Sequence, residues 1–411
     1  MKRLFLYLTV ACTLFAWSCD DAESPALDNA LYLADAKNCD GYDCIMTRLD
    51  DRRMSATVQM TRLQDHPVTV TLEVSAEMLD EHNAEFGENL KLLDESYWQI
   101  IDSDGTPKSG NRLDITIPAG SNTGIFPIQI TKTPEEDTEM YALPLTITGV
   151  SENIQVLQSK KSVIYLMQKP FETQVLWCKR GSNVTSVFKD NPVVSNWTVE
   201  FHFAISNRTE TEATDGTVLT FGPGFYVRPY VNANSVDIHF LTDDGIGASF
   251  GNLFSKEETG VEWHHFALVN RNGTITSYLD GVVKGSESNA RFSTPVTFQT
   301  VSMTNQTHVS PVGFSEFRLW TVARTADELT RNKYSVDPGT KGLYVYYRLN
   351  EGEGDLLHDS SLHVDENGTA HPELQANIDT SDKSVANVNQ IEWGWAETNE
   401  KLTSFMTINK Q

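Results

Sequence analysis

Two neighbouring segments decide the fold of the longer part of this chain: Trp263-His-His-Phe-Ala-Leu-Val269 and Gly273-Thr-Ile-Thr-Ser-Tyr-Leu-Asp-Gly281. Each segment has one apolar face when its side chains are assigned alternately to two sides, which is typical of a strand that covers a core. The residues Leu279-Asp-Gly281 favour a tight turn, because aspartate and glycine accept the positive φ that a short hairpin needs. The two segments therefore predict an antiparallel part of a β-sheet.

Further strand-like segments precede and follow this pair. They are Trp197-Thr-Val-Glu-Phe-His-Phe203, Gly313-Phe-Ser-Glu-Phe-Arg-Leu-Trp320, Leu343-Tyr-Val-Tyr-Tyr-Arg-Leu-Asn-Glu-Gly-Glu-Gly354 and Asp359-Ser-Ser361. After the second of them, residues 326–332 are predicted to form a single helical turn. Thr325 is its expected N-cap, and Glu328 completes a capping box.

The order and spacing of these segments resemble the laminin G-like, concanavalin A-like jelly roll of lectins and glucanases. The resemblance extends over nearly all of residues 170–396, and it implies that Trp197, Trp263 and Trp320 lie in the core. It does not imply one function, because this architecture has many.

Residues 31–169 form a separate predicted β unit. Short segments of alternating pattern, such as Ser55–Arg62, Val68–Val74 and Leu113–Ile117, are separated by turns rich in Gly, Pro and Asp. This pattern predicts an immunoglobulin-like β-sandwich with one helical stretch near Ala76–Phe86. The whole chain is therefore expected to be all-β.

Four local motifs stand out in this first unit. They are Glu73-Val-Ser-Ala76, Leu79 through His82-Asn83, Ile117-Pro-Ala-Gly120 and Tyr141-Ala-Leu-Pro144. Together they resemble an N-terminal domain of unknown function in Bacteroidetes surface lipoproteins. In that family the domain often precedes family 18 endoglycosidases or other glycan-handling modules.

The N-terminus has the features of a bacterial lipoprotein signal. Lys2 and Arg3 precede the apolar run Leu4–Ala16, and Cys19 follows it closely. The run is too short to span a bilayer. The motif resembles a lipobox, at which cleavage leaves Cys19 as an acylated N-terminus. Ordinary secretory cleavage is the alternative, because Trp17 stands where a small residue is usual.

The residues that follow Cys19 are acidic. Asp20, Asp21 and Glu23 resemble the signal that exports Bacteroidetes lipoproteins to the outer face of the outer membrane, although a solvated acidic linker is the alternative. We therefore predict a lipid-anchored protein of the cell outer membrane that faces outward. The predicted organisation is a signal peptide (1–18), an acidic tether (19–30), the β-sandwich (31–169), the jelly roll (170–396) and a C-terminal tail without a clear pattern (397–411).

Composition restricts the partners of the chain. Its 411 residues include 32 Lys and Arg against 56 Asp and Glu, which gives a formal charge of −24. Such a protein repels nucleic acid and anionic lipid, so the predicted contact with the membrane is the N-terminal lipid anchor. Cys39 and Cys44 bracket a short loop and could form a disulfide in an oxidising compartment. Cys178 is predicted to be a small buried hydrophobe.

A candidate glycan site lies in the segment 225–241. If Phe225 and Val227 face the core, alternation places five polar or aromatic side chains on the opposite face of two strands: Tyr226, Arg228, Tyr230, Asp237 and His239. Aromatic rings cover the apolar C–H patches of sugars, and planar charged groups bond to hydroxyls. The pattern predicts a glycan-binding surface. A sheet face packed against a loop or the other domain is the alternative.

Two other groups of carboxylates resemble functional sites. Glu351 and Glu353 resemble the paired carboxylates of retaining glycosidases, but the resemblance to a jelly roll implies that they lie in a polar turn between a strand and the next loop, and no catalytic residue is predicted. Asp243, Asp244 and Asp359 could contribute oxygens to a structural calcium of the kind that some jelly-roll lectins hold. No other cofactor is expected.

These observations predict a non-catalytic glycan-binding lipoprotein of the cell surface. It resembles the accessory glycan-binding lipoproteins of Bacteroidetes polysaccharide utilisation systems. The resemblance implies an oligosaccharide ligand, with an outer-membrane glycan importer and a neighbouring glycosidase as partners. Host N-glycans are an implied ligand class, because the first unit resembles domains that accompany endo-β-N-acetylglucosaminidases. The alternatives are a glycoside hydrolase of unrecognised type and a structural or adhesive lipoprotein that binds protein.

The lipid anchor can be tested by replacing Cys19. We expect Cys19→Ala to remain in the aqueous phase when cell extracts are partitioned with detergent, because the acylated thioether is absent. Wild-type protein and Cys12→Ala, which changes a cysteine of the removed signal, should enter the detergent phase. Detergent partitioning of the Cys19→Ala variant would show that the lipoprotein interpretation is wrong.

Overall fold

The computed structural model describes two β-sandwiches that follow one another along the chain. Within the described residues the α-helices are α1 (Ala76–Phe86) and α2 (Ala326–Arg331), so the predicted all-β fold is confirmed. Neither helix has the length and apolar character needed to cross a membrane. The described residues are 29–36, 43–47, 53–86, 88, 90–101, 105–108, 110–132, 141–167, 171–205, 217–222, 224–231, 235–242, 247–255, 262–306, 311–365, 367–381, 390–398 and 405–408.

The first sandwich contains the strands β1 (Ala30–Leu33), β2 (Asp43–Thr47), β3 (Arg53–Met60), β4 (Val68–Val74), β5 (Lys91–Leu92), β6 (Trp98–Ile101), β7 (Pro107–Lys108), β8 (Arg112–Ile117), β9 (Thr123–Ile130), β10 (Tyr141–Val150), β11 (Gln155–Val156) and β12 (Ser162–Met167). One sheet has the order β11-β1-β3-β9-β6-β7. The other has the order β2-β12-β10-β4-β8, with β5 beside β10.

Alternation of side chains builds the core of this sandwich. In β8 the residues Leu113, Ile115 and Ile117 are buried, whereas the residues between them are exposed. The helix α1 is located where the sequence predicts it and covers the outer face of the second sheet, against which Met78 and Leu79 pack. The predicted two-sheet sandwich is confirmed.

The second sandwich contains β13 (Glu172–Cys178), β14 (Ser182–Val187), β15 (Val193–Val194), β16 (Trp197–Ile205), β17 (Leu219–Phe221), β18 (Phe225–Val231), β19 (Ser235–Thr242), β20 (Gly247–Ser255), β21 (Glu262–Arg271), β22 (Thr274–Leu279), β23 (Val282–Ser288), β24 (Val296–Thr297), β25 (Thr300–Asn305), β26 (Val312–Trp320), β27 (Leu343–Tyr347), β28 (Leu356–Leu357), β29 (Ile378–Asp379), β30 (Ile391–Thr398) and β31 (Phe405–Ile408). Its larger sheet has the order β16-β26-β13-β30-β31-β21-β22-β23, with β27 beside β26, and β16 also pairs with β21. The smaller sheet has the order β14-β25-β17-β18-β19-β20.

Aromatic packing joins these two sheets. Trp197 of the larger sheet is fully buried, and its ring centroid lies 5.2 Å from that of Phe221, 6.0 Å from that of Phe225 and 5.9 Å from that of Phe240. The three phenylalanines belong to β17, β18 and β19 of the smaller sheet. Their burial against Trp197 determines which face of those strands points inward.

Two local predictions from the sequence are confirmed. Asp280 and Gly281 form the turn between β22 and β23 and have φ values of 52° and 80°. Thr325 caps α2, where its hydroxyl accepts from the amide of Glu328 at 3.2 Å and its own amide donates to the Glu328 carboxylate at 2.6 Å.

The described part of the C-terminal segment contains a strand that the sequence pattern does not indicate. Residues 397–411 are expected to be a tail without a pattern, but Phe405–Ile408 forms β31, which pairs with both β30 and β21. Two neighbouring strand edges supply its hydrogen bonds, and no local sequence pattern reveals that such edges are near.

A buried charge network occupies the outer face of the larger sheet. The side chain of Glu200 on β16 has no solvent exposure, and its carboxylate accepts from Nε2 of His265 at 2.9 Å and from Nε1 of Trp320 at 2.7 Å. Nη1 of Arg318 lies 3.5 Å from the same carboxylate. Burial alone raises the pKa of Glu200, but Arg318 and His265 outweigh that effect and hold the pKa at about 2.

Other elements close over this network. Nη1 of Arg318 donates to the carbonyl of Asn332 at 2.6 Å, and Nε2 of His202 lies 2.7 Å from the carbonyl of Lys333. The guanidinium of Arg324 lies 4.0 Å from the ring of Trp320. The helix α2 and the residues after it therefore cover the outer face of the larger sheet.

Removing the charge of Glu200 should destabilise the second sandwich. We expect Glu200→Gln to lower the free energy of unfolding at neutral pH by about 1–3 kcal/mol, because the buried side chains of Arg318 and His265 would lose the charge of Glu200, while Glu316, 2.6 Å from Nη2 of Arg318, remains as a counter-charge. Glu287→Gln, the same change at an exposed position of β23, should alter it by no more than about 0.5 kcal/mol. Urea unfolding of the purified variants measures both effects.

The loss of stability caused by Glu200→Gln should also become smaller as the pH is lowered. The folded-state pKa of Glu200 lies below its ordinary value of 4.5, so the charge stabilises the fold above pH 4.5 and this contribution falls as pH is lowered toward about 2. The stability difference between wild type and variant should shrink over that window. A difference that stayed constant with pH would contradict the assignment of a buried charge to Glu200.

Candidate glycan-binding face

The strands that carry the predicted site pair as the sequence suggests. Antiparallel β18 and β19 place Arg228 opposite His239 and Tyr230 opposite Asp237. Directly paired residues of an antiparallel sheet lie on the same face. The predicted site residues on the two strands are therefore brought together by the register.

The predicted division between inward and outward residues agrees with the structure. Phe225, Val227 and Phe240 are buried in the core between the sheets, whereas Tyr226, Arg228 and His239 are partly exposed on the opposite side. The side chains of Tyr230 and Asp237 lie outside the described residues, so their contribution stays a prediction.

Three hydroxyl residues extend the same face across neighbouring strands. Thr220 on β17 pairs with Tyr226 on one side and with Ser302 of β25 on the other. Ser302 pairs in turn with Thr185 of β14, and their hydroxyl oxygens are 2.7 Å apart. These residues cannot be found by reading the sequence around position 226, because Thr185, Thr220 and Ser302 are far apart along the chain.

We call this surface the open face and define it by six of its described side chains: Thr185, Thr220, Tyr226, Arg228, His239 and Ser302. It differs from the outer face of the larger sheet, where Glu200, His265 and Arg318 are fully buried. The open face has the phenol of Tyr226, a guanidinium, an imidazole and the hydroxyls of two threonines, which are groups that hydrogen-bond to or stack on sugars, whereas Ser302 in the same row is buried.

The carboxylate of Asp359 has a structural role. One oxygen accepts from the backbone amides of Tyr346 and Ser361, each at 3.0 Å. The other accepts from the amide of Ala376 and from Nε2 of His363, each at 3.1 Å. Since a carboxylate has about four acceptor positions, protein donors already fill those of Asp359.

The predicted calcium site therefore lacks support from Asp359. Asp243 and Asp244 lie outside the described residues, and within the described part of the chain no three His, Cys, Asp or Glu side chains are grouped to hold a metal ion. The calcium site stays a prediction.

The residues Glu351 and Glu353 lie in a turn that contains two glycines of positive φ, Gly352 at 78° and Gly354 at 79°. The carboxylate of Glu351 accepts from the backbone amide of His358 at 2.8 Å. This geometry agrees with the prediction of a polar turn.

Among the cysteines that the sequence analysis singles out, the structure describes the side chain of Cys178 but not those of Cys19, Cys39 and Cys44. Cys178 is a free, buried cysteine, as the sequence predicts, and burial raises the pKa of its thiol to about 12. Cys19, Cys39 and the side chain of Cys44 lie outside the described residues. The lipid anchor and the Cys39–Cys44 disulfide therefore stay predictions.

Two protein-family models match the chain. Residues 180–330 match the Laminin_G_3 model, which is described as the concanavalin A-like lectin/glucanases superfamily, and residues 27–154 match the model of an N-terminal domain. The second sandwich is accordingly a concanavalin A-like, laminin G-type jelly roll, preceded by this N-terminal domain. None of the curated proteins compared with the chain matches it.

Three solved structures are similar to this chain at low sequence identity. A candidate carbohydrate-binding protein from Bacteroides ovatus is 16% identical over 89% of this chain and 97% of its own, with a TM-score of 0.43. A pentraxin from Limulus polyphemus is 14% identical over 38% of this chain and 80% of its own, with a TM-score of 0.32. EndoBT-3987 from another Bacteroides species is 16% identical over 34% of this chain and 30% of its own, with a TM-score of 0.26.

Proposed function

We propose that this protein binds glycans at the cell surface without cleaving them, and that the open face of the jelly roll is the binding site. The observation that carries the proposal is the contrast between the two outer faces of this sandwich. The face of the larger sheet is closed by α2 and the residues after it, whereas the face of the smaller sheet leaves Tyr226, Arg228 and His239 partly exposed.

The chemistry of the open face suits a sugar ligand. The ring of Tyr226 can cover the apolar side of a sugar ring, while its hydroxyl and that of Thr220 remain available for hydrogen bonds. The planar guanidinium of Arg228 has N–H donors that can bond to adjacent hydroxyls of a sugar. A flat apolar surface, which a protein-binding adhesive domain would favour, is not what these side chains form.

The same face supports binding without hydrolysis. Glycoside hydrolysis generally uses two carboxylates on opposite sides of the scissile bond. None of the six side chains that define the open face is a carboxylate, and the register adds Asp237 alone. The two glutamates of the 351–354 turn are accounted for by a polar loop.

The surface location is part of the proposal. Cys19 would anchor the protein in the outer membrane, and the acidic residues after it would direct it outward. Binding there would raise the local concentration of oligosaccharide for an outer-membrane glycan importer and a neighbouring glycosidase. Host N-glycans are the ligand class we propose to test first.

Binding should depend on Tyr226 and Arg228. Weak glycan binding with dissociation constants from micromolar to millimolar corresponds to about 4–8 kcal/mol, so a stacked ring that contributes about 1 kcal/mol is a sizeable part. We expect Tyr226→Ala, Tyr230→Ala and Arg228→Ala each to weaken binding several-fold in calorimetric titrations with N-glycans chosen from a glycan array. Tyr32→Ala, which changes a partly exposed strand tyrosine of the first sandwich, is the matched control and should bind normally.

The folded state must be checked in the same experiment. Trp263→Ala should abolish the melting transition of the jelly roll, because this indole is buried and packs on Trp177 at 5.3 Å between ring centroids. If Tyr226→Ala and Tyr230→Ala remain folded and bind as tightly as wild type, the open face is not the binding site.

No hydrolysis is expected from the wild-type protein. Long incubation at high protein concentration with N-glycans, β-glucans and α-mannans should release no reducing sugar. Hydrolysis that disappears in Glu351→Gln or Glu353→Gln would favour the glycoside hydrolase alternative over the binding protein.

A further inference from the structure

A cluster of buried charged side chains connects the two sandwiches. Oε1 of Glu88, which follows α1 in the first sandwich, accepts from Nη1 of Arg331 at the end of α2 in the second sandwich at 2.6 Å. Oε2 of Glu88 lies 3.1 Å from Nε2 of His82 on α1. The exposed fractions of the side chains are 5% for Glu88, 12% for Arg331 and 0% for His82.

Glu88 is charged in this cluster. Burial by itself raises the pKa of its carboxyl, but the hydrogen bond with His82 and the positive charge of Arg331 outweigh burial and leave the pKa below its ordinary value. Arg324 adds a further favourable charge. Separating the sandwiches would break this ion pair, whose two partners are nearly buried in the folded protein.

The cluster is attached to a rigid element on the first sandwich. The side-chain amide of Asn83 on α1 donates to the carbonyl of Leu90 at 3.1 Å, and its oxygen accepts from the amide of Leu90 at 3.0 Å. These reciprocal bonds bracket the segment that carries Glu88. The helix itself is held by Met78 and Leu79, which pack on the sheet below.

The attachment on the second sandwich is equally firm. Arg331 ends α2, whose capping box is formed by Thr325 and Glu328. Leu329 of the same helix is fully buried against Ala267 and Val269 of the larger sheet. Glu88 therefore contacts α1 through His82, and Arg331 belongs to α2, so each partner is linked to a helix that packs on its own sandwich.

We infer that the Glu88–Arg331 contact, supported by His82, locks the two sandwiches into one cooperative unit. The first sandwich then sets the orientation of the open face relative to the N-terminal tether, and it is more than a flexible spacer. This inference goes beyond the proposed function and does not depend on the identity of the ligand.

The lock can be tested by calorimetry on the full chain carrying Cys19→Ala. The protein without further changes should unfold in a single transition. Glu88→Gln and Arg331→Gln should each replace it by two transitions, because the sandwiches then unfold independently. Glu85→Gln, the same change at an exposed position of α1, is the matched control and should retain the single transition.

Two further measurements keep the test decisive if one variant folds poorly. Arg331→Gln changes the second sandwich and Glu88→Gln the first, so a folding defect confined to one sandwich cannot produce the same result in both. Small-angle X-ray scattering should give a larger radius of gyration for both variants than for Glu85→Gln. Two transitions in the parent protein, or a single unchanged transition in both variants, would overturn the inference.

Discussion

The packing of Trp197 between the two sheets of the jelly roll is the interaction on which the rest of this structure depends. Its indole contacts phenylalanines from three successive strands of the smaller sheet, Phe221, Phe225 and Phe240. A strand that buries one set of alternate side chains must turn the other set outward. The same contact that forms the core therefore also places Tyr226, Arg228 and His239 on the outside. A shift of one residue in the pairing of β18 would turn Tyr226 and Arg228 toward the core and expose Phe225 and Val227.

The two outer faces of the jelly roll differ in whether their polar side chains are covered by other elements. On the larger sheet Glu200 pairs with His265 and Arg318, and α2 and its continuation cover all three, so that polar residues contribute to the interior. On the smaller sheet Tyr226, Arg228 and His239 of the open face are partly exposed. A buried charge needs compensation from inside the protein, whereas a partly exposed one can exchange water for a ligand. Only the second arrangement is suited to binding, which is why the proposed site lies on the smaller sheet.

Charge also has two separate uses in this strongly acidic chain. The overall excess of carboxylates disfavours nucleic acid and anionic surfaces. Individual carboxylates, however, are placed where they hold the structure together: Asp359 organises a loop through four donors, Glu200 anchors the covered sheet, and Glu88 reaches the second sandwich. These three carboxylates therefore have structural roles. One of them, Asp359, is a residue that the sequence pattern indicated as a calcium ligand.

The sequence by itself determined the local features of this protein. The alternation in β18 and β19, the Asp280–Gly281 turn, the helix α1 and the capping box of Thr325 could all be predicted, because each depends on neighbours within a few residues. Tertiary structure alone decided the rest. The strand at 405–408 depends on free edges supplied by β30 and β21, the row of Thr185, Ser302 and Thr220 depends on strands distant in sequence, and the ion pair of Glu88 joins residues 243 positions apart. A polar side chain is buried or exposed according to what packs over it. That depends on the whole folded chain and not on any one segment.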